Sequence, residues 1–161
     1  MDIRSTLGAV LRLMGLGMVL SLGFVLLMYT LSDRDRPAAQ RVDVSDLAEG
    51  QWKVVDWHGQ KVLILHRDAA MRRLAGPEAG PWLVVLDRAP DVGCPLEVVP
   101  PGQGDRPDWP GGLRDRCRGS RYDFAGHVLP GEPSRMDLRQ PGFVPGLGDW
   151  LMIGVEAPKR D

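Results

Sequence analysis

Residues 13–32, LMGLGMVLSLGFVLLMYTLS, form a run of twenty residues without a charged side chain. An α-helix rises about 1.5 Å per residue, so this run is about 30 Å long, which matches the hydrocarbon core of a lipid bilayer. A cleaved signal peptide has a shorter apolar segment and a small-residue cleavage site, whereas the charged sequence SDRDRP follows here. We therefore predict that residues 1–32 are a retained transmembrane anchor.

The sequence after the apolar run divides into two parts. Residues 33–41, DRDRPAAQR, are charged, and Pro37 blocks continuation of a helix. We predict that they form a tether and that residues 42–161 form one soluble domain. The net charge of -1 gives no excess of Lys and Arg for phosphate contacts, so nucleic acid is not an expected partner.

The chain has only two cysteines, Cys94 and Cys117, and both follow the tether. A lone pair in a small soluble domain fits one disulfide in an oxidising compartment. Arg residues lie on both sides of the apolar run, so the positive-inside rule leaves the orientation open. From the cysteines we expect a single-pass inner-membrane protein with a cytoplasmic N-terminus and a periplasmic soluble domain.

Short apolar segments indicate that this domain is all-β. QWKVVDW and KVLILH flank the turn HGQ, which is typical of a β-hairpin, and PWLVVLDR is a buried strand. YDFAGHVLPG predicts a second hairpin, and DWLMIGVE a closing strand. One short helix is predicted over residues 68–75, with Asp68 as its N-cap and Gly76 after its end. The Gly- and Pro-rich residues 89–121 predict loops with short strands.

The order of these segments resembles the Rieske iron–sulfur subunits of cytochrome bc complexes. VDVSDLAEGQWKVVDWHGQKVLILHR resembles the opening of the family domain, and WLVVLDRAPDVGCPL resembles the strand that leads into its first cluster loop. DRCRGSRYDFAGHVLPGEP resembles the second cluster loop and its hairpin. The resemblance implies a Rieske-like small antiparallel β domain attached to one N-terminal transmembrane helix.

The residue types at the family's cluster-ligand positions differ in this chain. The first family loop reads Cys-Thr-His-Leu-Gly-Cys, and residues 89–94 here read Ala-Pro-Asp-Val-Gly-Cys. The second reads Cys-Pro-Cys-His-Gly-Ser, and residues 115–120 here read Asp-Arg-Cys-Arg-Gly-Ser. A Rieske centre needs two thiolates and two imidazoles, so we expect no 2Fe–2S cluster and no bound metal. The former ligand positions are Ala89, Asp91, Asp115 and Arg118.

Other family positions are retained. Cys94 and Cys117 match the two cysteines that form the family's disulfide, so the resemblance implies this pairing. Ser120 and Tyr122 match residues that hydrogen-bond the cluster sulfurs in the family, and here we expect them to serve turn and core packing, with a backbone partner for the buried hydroxyl of Tyr122. Residues 131–134 keep the turn of the family's Gly-Pro-Ala-Pro loop but lose part of its apolar lid.

Two alternatives remain for the former ligand positions. Asp91 and Asp115 replace ligands of one site, and paired carboxylates facing each other across the loops bind hard cations. Either carboxylate can instead pair with Arg116 or Arg118, and we expect an ion-paired or solvated filling of the pocket. The other candidate metal ligands are His58, His66, His127, Cys94 and Cys117.

The sequence contains no Ser-His-Asp or Cys-His arrangement that stands out, so we expect no catalytic residues and no enzyme activity of the chain itself. We predict a non-redox accessory or structural subunit of a respiratory or photosynthetic electron-transfer complex. Its partners are the other subunits and the lipid bilayer around residues 13–32, and Trp109 is a candidate exposed contact. The alternative is a redox-active iron–sulfur subunit of a quinol–cytochrome c reductase-type complex with non-standard ligands, since fold alone does not fix function.

Overall fold

The computed structural model describes residues 3–34 and 38–155, which belong to two compact units, Met1–Pro37 and Ala38–Asp161. The first unit contains helix α1, Ile3–Arg34, with described side chains at residues 14–29. Among the described residues, no helix combines the length and the apolar character that crossing a membrane requires. The transmembrane anchor therefore stays a prediction, as do the proposed boundaries of the anchor and the tether.

The second unit is built from short strands and one short helix. The described strands form three antiparallel sheets, in the orders β1-β9-β8, β2-β3-β4 and β5-β6-β7. The prediction of a small antiparallel β domain is thus confirmed. The elements are β1 Gln40–Asp43, β2 Trp52–Trp57, β3 Gln60–His66, α2 Ala69–Ala75, β4 Trp82–Leu86, β5 Leu96–Val99, β6 Gly112–Asp115, β7 Arg121–Tyr122, β8 Phe143–Pro145 and β9 Trp150–Ile153.

Strand β3 is apolar at successive positions because both of its faces are covered. Leu63 and Leu65 pack into a buried cluster with residues of α2, β5, β6 and β7. Val62 and Ile64 pack into a second buried cluster with residues of β1 and β9. Successive side chains of a strand point to opposite faces, so a strand between two cores needs apolar residues throughout. The run KVLILH therefore places the sheet β2-β3-β4 as the middle layer of the domain.

The predicted hairpin between β2 and β3 turns at two residues. Trp57 pairs with Gln60, which leaves His58 and Gly59 in the turn with φ angles of 50° and 79°. Positive φ at both central residues is the requirement of a type I′ turn, whose twist matches that of the strands. The N–H of Gly59 donates to the Asp56 carboxylate at 2.9 Å and helps to close the turn.

Helix α2 begins and ends where the sequence predicts. Asp68 caps it by accepting a hydrogen bond from the N–H of Met71 at 2.8 Å. Gly76 follows the last helical residue with a φ of 99°, a conformation that favours glycine. Met71 is the buried residue of the helix and joins the cluster that contains Leu63.

The buried Arg67 connects the middle sheet to the hairpin that follows β7. Its Nε donates to the carbonyl of Phe124 at 2.8 Å, and its Nη1 donates to the carbonyls of Gly80 and Trp82 at 2.8 and 2.9 Å. Burial lowers the pKa of Arg67 to about 10, and the charge of Asp123 works in the opposite direction. Three carbonyls thus satisfy a cation that lies inside the domain.

Replacing Arg67 with Met is expected to lower the free energy of unfolding by about 2–3 kcal/mol, because the carbonyls lose their donors while the packing of the stem is kept. The matched control is Arg72→Met, since Arg72 pairs only at 3.6 Å with the exposed Glu49 and is expected to contribute little. Urea unfolding of the full chain in mild detergent, followed by tryptophan fluorescence, measures both. Equal midpoints for the two variants would contradict this role of Arg67.

Candidate functional site

Two loops are brought together by the pairing of β5 with β6. The register places Leu96 opposite Asp115, so the loop that ends at β5 and the loop that begins after β6 lie side by side. Cys94 is two residues before Leu96, and Cys117 is two residues after Asp115. The two sulfurs form a disulfide with a Cα–Cα distance of 6.1 Å. The disulfide expected from the cysteine pair is therefore present.

The first loop is closed by its own backbone. The N–H of Ala89 donates to the carbonyl of Cys94, and the N–H of Gly93 donates back to the carbonyl of Ala89, both at 2.8 Å. The side chain of Ala89 is buried in the same cluster as Leu96 and Tyr122. The first former ligand position is therefore filled by a small apolar side chain that belongs to the core.

The second loop is organised by Asp115. Its buried carboxylate accepts hydrogen bonds from the N–H of Cys117 at 2.8 Å and from the N–H of Arg118 at 3.2 Å. The N–H of Gly119 donates to the carbonyl of Asp115 at 3.0 Å, and Gly119 has a φ of 74°. A short carboxylate that bonds to following N–H groups is a common way to stabilise such a turn. Asp115 thus holds the loop that carries Cys117.

Asp91 and Arg118 form an ion pair between the two loops. The Nη1 of Arg118 lies 3.5 Å from a carboxylate oxygen of Asp91. The side chain of Arg118 is 56% exposed and that of Asp91 is 17% exposed, so solvent weakens the attraction. Of the four former ligand positions, the structure pairs these two, as in the ion-paired alternative. The described hydrogen bonds to the carboxylate of Asp115 come from its own turn.

Ser120 and Tyr122 lie behind the loops. The Oγ of Ser120 accepts a hydrogen bond from the N–H of Ser134 at 3.0 Å, which attaches residues 131–134 to the second loop. Tyr122 is fully buried, and its hydroxyl has no hydrogen-bond partner within the described part of the chain. Burial raises the pKa of Tyr122, with further increases from neighbouring carboxylates, while the nearby Ser134 opposes the rise. The expected backbone partner for this hydroxyl is not observed.

A buried carboxylate that the sequence did not single out lies in the third loop, residues 131–134. Glu132 is 2% exposed at its side chain and accepts from Nη1 of Arg106 at 2.8 Å. It also accepts from the backbone N–H of Arg121 at 3.1 Å and pairs with that residue's guanidinium at 3.3 Å. Arg121 forms two further bonds to Asp105, and these raise the pKa of Arg121 above its usual value. Ion pairs and hydrogen bonds of Glu132 therefore hold residues 131–134 in place.

Trp109 is not the exposed contact that the sequence suggested. Its side chain is buried, and its Nε1 donates to the carbonyl of Tyr122 at 3.1 Å. The guanidinium of Arg121 lies over the indole ring at 5.5 Å from the centroid. The Gly- and Pro-rich loop around Trp109 folds back onto the sheet, and the indole fills the space under it. An aromatic residue in a turn-rich segment is thus a core residue here.

The histidines considered as metal ligands lie apart and have other partners. His58 contacts the carbonyl of Ala38, His66 contacts the carbonyl of Leu47 and stacks on Trp82, and His127 pairs with Asp123. In the described ranges, one group of three potential ligand residues has its ligand atoms within 4.8 Å of one another. That group consists of Cys94, Asp115 and Cys117.

Replacing both Cys94 and Cys117 with Ser is expected to lower the free energy of unfolding by about 3 kcal/mol, because the unfolded chain is no longer restricted by the cross-link. The bond closes a sequence separation of 23 residues between loops with little secondary structure of their own. Urea unfolding with and without a dithiol reductant measures the change. The wild-type midpoint should fall to that of the double variant on reduction, and an unchanged midpoint would count against this contribution.

Replacing Glu132 with Gln is expected to cost about 2–3 kcal/mol, because two arginines near the third loop lose a buried charged acceptor. The matched control is Asp108→Asn, which removes a more exposed carboxylate that also pairs with Arg106 and should change little. Thermal unfolding of both variants compares the two carboxylates of this network. A larger loss of stability for Asp108→Asn than for Glu132→Gln would show that burial of the carboxylate does not determine its contribution to stability.

Comparison with known proteins identifies relatives over most of the chain. The ubiquinol-cytochrome c reductase iron-sulfur subunit of Rhodospirillum rubrum is 30% identical over 149 residues, which is 81% of this chain and 79% of the relative. The protein of the same description from Rickettsia conorii is 30% identical over 151 residues, or 78% and 81% of the two chains. The mitochondrial Rieske subunit of the cytochrome b-c1 complex from Schizosaccharomyces pombe is 32% identical over 130 residues, or 70% and 53%.

These relatives correct one expectation. The prediction that the 2Fe–2S cluster is absent is wrong, because the relatives from Rhodospirillum rubrum and Rickettsia conorii are named iron–sulfur subunits. The prediction considered only four side chains, whereas the similarity extends over most of the chain. The residues at those positions are nonetheless a methyl group, two carboxylates and a guanidinium, which do not fit the thiolate and imidazole ligands of a Rieske centre. We therefore derive no reaction step through a cluster.

Solved structures support the fold. A chain of a hyperthermophilic respiratory Complex III has a TM-score of 0.50 and 19% identity, covering 93% of this chain and 99% of that one. An oxygenase and ferredoxin complex of carbazole 1,9a-dioxygenase has a TM-score of 0.50 and 16% identity, covering 77% and 30%. No protein-family model matches the chain. The identity and coverage of the relatives nevertheless establish that this chain belongs to the family of Rieske iron–sulfur subunits of ubiquinol–cytochrome c reductases.

Proposed function

We propose that this chain is a membrane-anchored, non-redox accessory subunit of a quinol–cytochrome c reductase-type complex, where it supports assembly and stability. The observation that carries the proposal is the structural use of the former ligand positions. Ala89 is part of the core, Asp115 stabilises a turn, and Asp91 pairs with Arg118. Each side chain thus contributes to holding the two loops in place.

The surface around the disulfide supports a docking role. Arg116, Cys117 and Arg118 are exposed in one turn, and that turn is fixed by the disulfide, by Asp115 and by the ion pair to Asp91. A rigid loop loses little conformational entropy when it binds, so its contacts contribute more to affinity. The two exposed arginines suit a partner surface that carries carboxylates.

The exposed side chains of α1 support a position in the bilayer. Residues 14–29 are exposed along the whole described segment, and they include Leu20 and Phe24 at 65% and 61%. A helix that is apolar all round requires apolar surroundings, such as lipid or the helices of other subunits. We propose that residues 13–32 cross the inner membrane once, with the N-terminus in the cytoplasm. The disulfide then suits a periplasmic domain.

The second candidate function is that of a redox subunit with non-standard ligands. Membership of a family whose members are named iron–sulfur subunits is the observation that favours it. In that case electron transfer depends on this chain, whereas in the accessory role it does not. The two functions therefore differ in what happens to turnover when the chain is removed.

Deletion of the chain from its native cells is expected to lower the amount of assembled quinol–cytochrome c reductase while the turnover of each remaining complex stays unchanged. Native gels of membranes solubilised in mild detergent give the amount, and quinol-dependent cytochrome c reduction gives the turnover. The wild-type chain restored on a plasmid is the control. Loss of turnover in the remaining complexes, together with a Rieske-type EPR signal from the purified chain, would refute the accessory role and favour the redox subunit.

The position of α1 is tested separately with Leu20→Arg. A charge in the middle of a membrane helix is costly, so the tagged variant is expected to leave the membrane fraction and to lose its partners in detergent pull-downs. Leu20→Ile keeps the apolar surface and should behave as the wild type. If the Arg variant stays in the membrane with its partners, residues 13–32 are not the anchor.

A further inference from the structure

The group formed by Cys94, Asp115 and Cys117 has the chemistry of a metal site in one redox state. Its ligand atoms lie within 4.8 Å of one another. A tetrahedral zinc ion has Zn–S distances of about 2.3 Å and Zn–O distances of about 2.0–2.2 Å, which sets its ligand atoms roughly 3.5–4 Å apart. We propose that reduction of the disulfide turns these three residues into a site for one thiophilic divalent cation such as Zn²⁺. This inference does not rest on the accessory role.

The carboxylate of Asp115 is already held in place for such a site. Asp115 is 1% exposed, and the N–H groups of Cys117 and Arg118 each donate to one of its oxygens. A carboxylate oxygen has two acceptor positions, so each oxygen keeps one for a cation. Hydrogen bonds of this kind orient a metal ligand and leave its remaining lone pairs free to coordinate the metal. The turn therefore fixes one ligand before any cation binds.

The disulfide is open to reduction from one side. Cys117 is exposed, whereas Cys94 is half-buried. A thiolate of an external dithiol attacks the sulfur of Cys117, and Cys94 leaves as a thiolate. The second thiol of the reductant then breaks the mixed disulfide, so the reductant departs as its own disulfide after giving up two electrons. The cation binds the two thiolates and displaces any proton that they have taken up.

The charges around the group suit a divalent cation. Two thiolates and one carboxylate carry three negative charges, of which Zn²⁺ neutralises two, and Arg116, which is adjacent in sequence to Cys117, balances the third. The guanidinium of Arg118 pairs with Asp91, so it is not committed to the carboxylate of Asp115. Thiolates favour soft or borderline cations over Mg²⁺ and Ca²⁺. A water molecule completes the four ligands of the ion.

The test uses the full chain in mild detergent, incubated with or without a dithiol and then with Zn²⁺. We expect one Zn²⁺ per reduced chain after gel filtration and none per oxidised chain. Co²⁺ in place of Zn²⁺ should give thiolate-to-cobalt absorption bands of a tetrahedral site. Asp115→Asn should weaken binding at least about tenfold. The control Glu97→Gln removes a nearby carboxylate on β5, which pairs with Arg114 outside the group, and this variant should bind Zn²⁺ as the wild type does.

Three results would overturn the proposal. Reduced wild-type chain that binds no more Zn²⁺ than the Cys94→Ser, Cys117→Ser double variant would exclude the thiolate ligands. Equal affinities of Asp115→Asn and Glu97→Gln for Zn²⁺ would exclude the carboxylate of Asp115 as a ligand and point to thiols in an unfolded loop. A reduced chain that loses the near-ultraviolet circular dichroism of its buried aromatic residues would also contradict the proposal, because the site requires the loops to stay in place.

Discussion

The domain depends on a middle sheet whose strand β3 is covered on both faces. Leu63 and Leu65 face one core, and Val62 and Ile64 face the other, so this strand holds two layers of short strands together. Removing such side chains from water supplies the main favourable term for a domain with little helix. The loops at the candidate site can be irregular because the strands that carry them, β5, β6 and β7, pack against this sheet in the buried cluster that contains Leu63.

The candidate site is held by polar and covalent bonds. The disulfide, the turn of Asp115 and the ion pair of Asp91 with Arg118 connect the first loop to the second. Glu132 connects the third loop to β7, the strand that follows the second loop. In this region rich in Gly and Pro, such bonds fix the positions of the loops relative to one another. These bonds hold the loops in place although the side chains at the former ligand positions differ from those of the family.

Much of the fold could be predicted from local sequence. The hairpin at His58 and Gly59, the cap at Asp68 and the strands with β-branched residues follow from neighbouring residues, because turns, caps and strand periodicity are short-range effects. The burial of Trp109 could not be predicted in this way. Its environment is formed by residues that are distant in sequence, and a turn-rich segment gives no local sign of which face it covers.

The sequence by itself determined the type of chain: an apolar N-terminal run, an all-β domain with one cysteine pair, and the likeness to a family whose ligand positions are changed. Tertiary structure alone decided what the changed positions do. The pairing of Leu96 with Asp115 brings two loops together and places Asp115 beside Cys94 and Cys117. Likewise, the burial of Glu132 against Arg106 and Arg121 joins segments 26 and 11 residues apart. The physical reason is that electrostatic and covalent contacts depend on distance in space, which sequence spacing in loops does not fix.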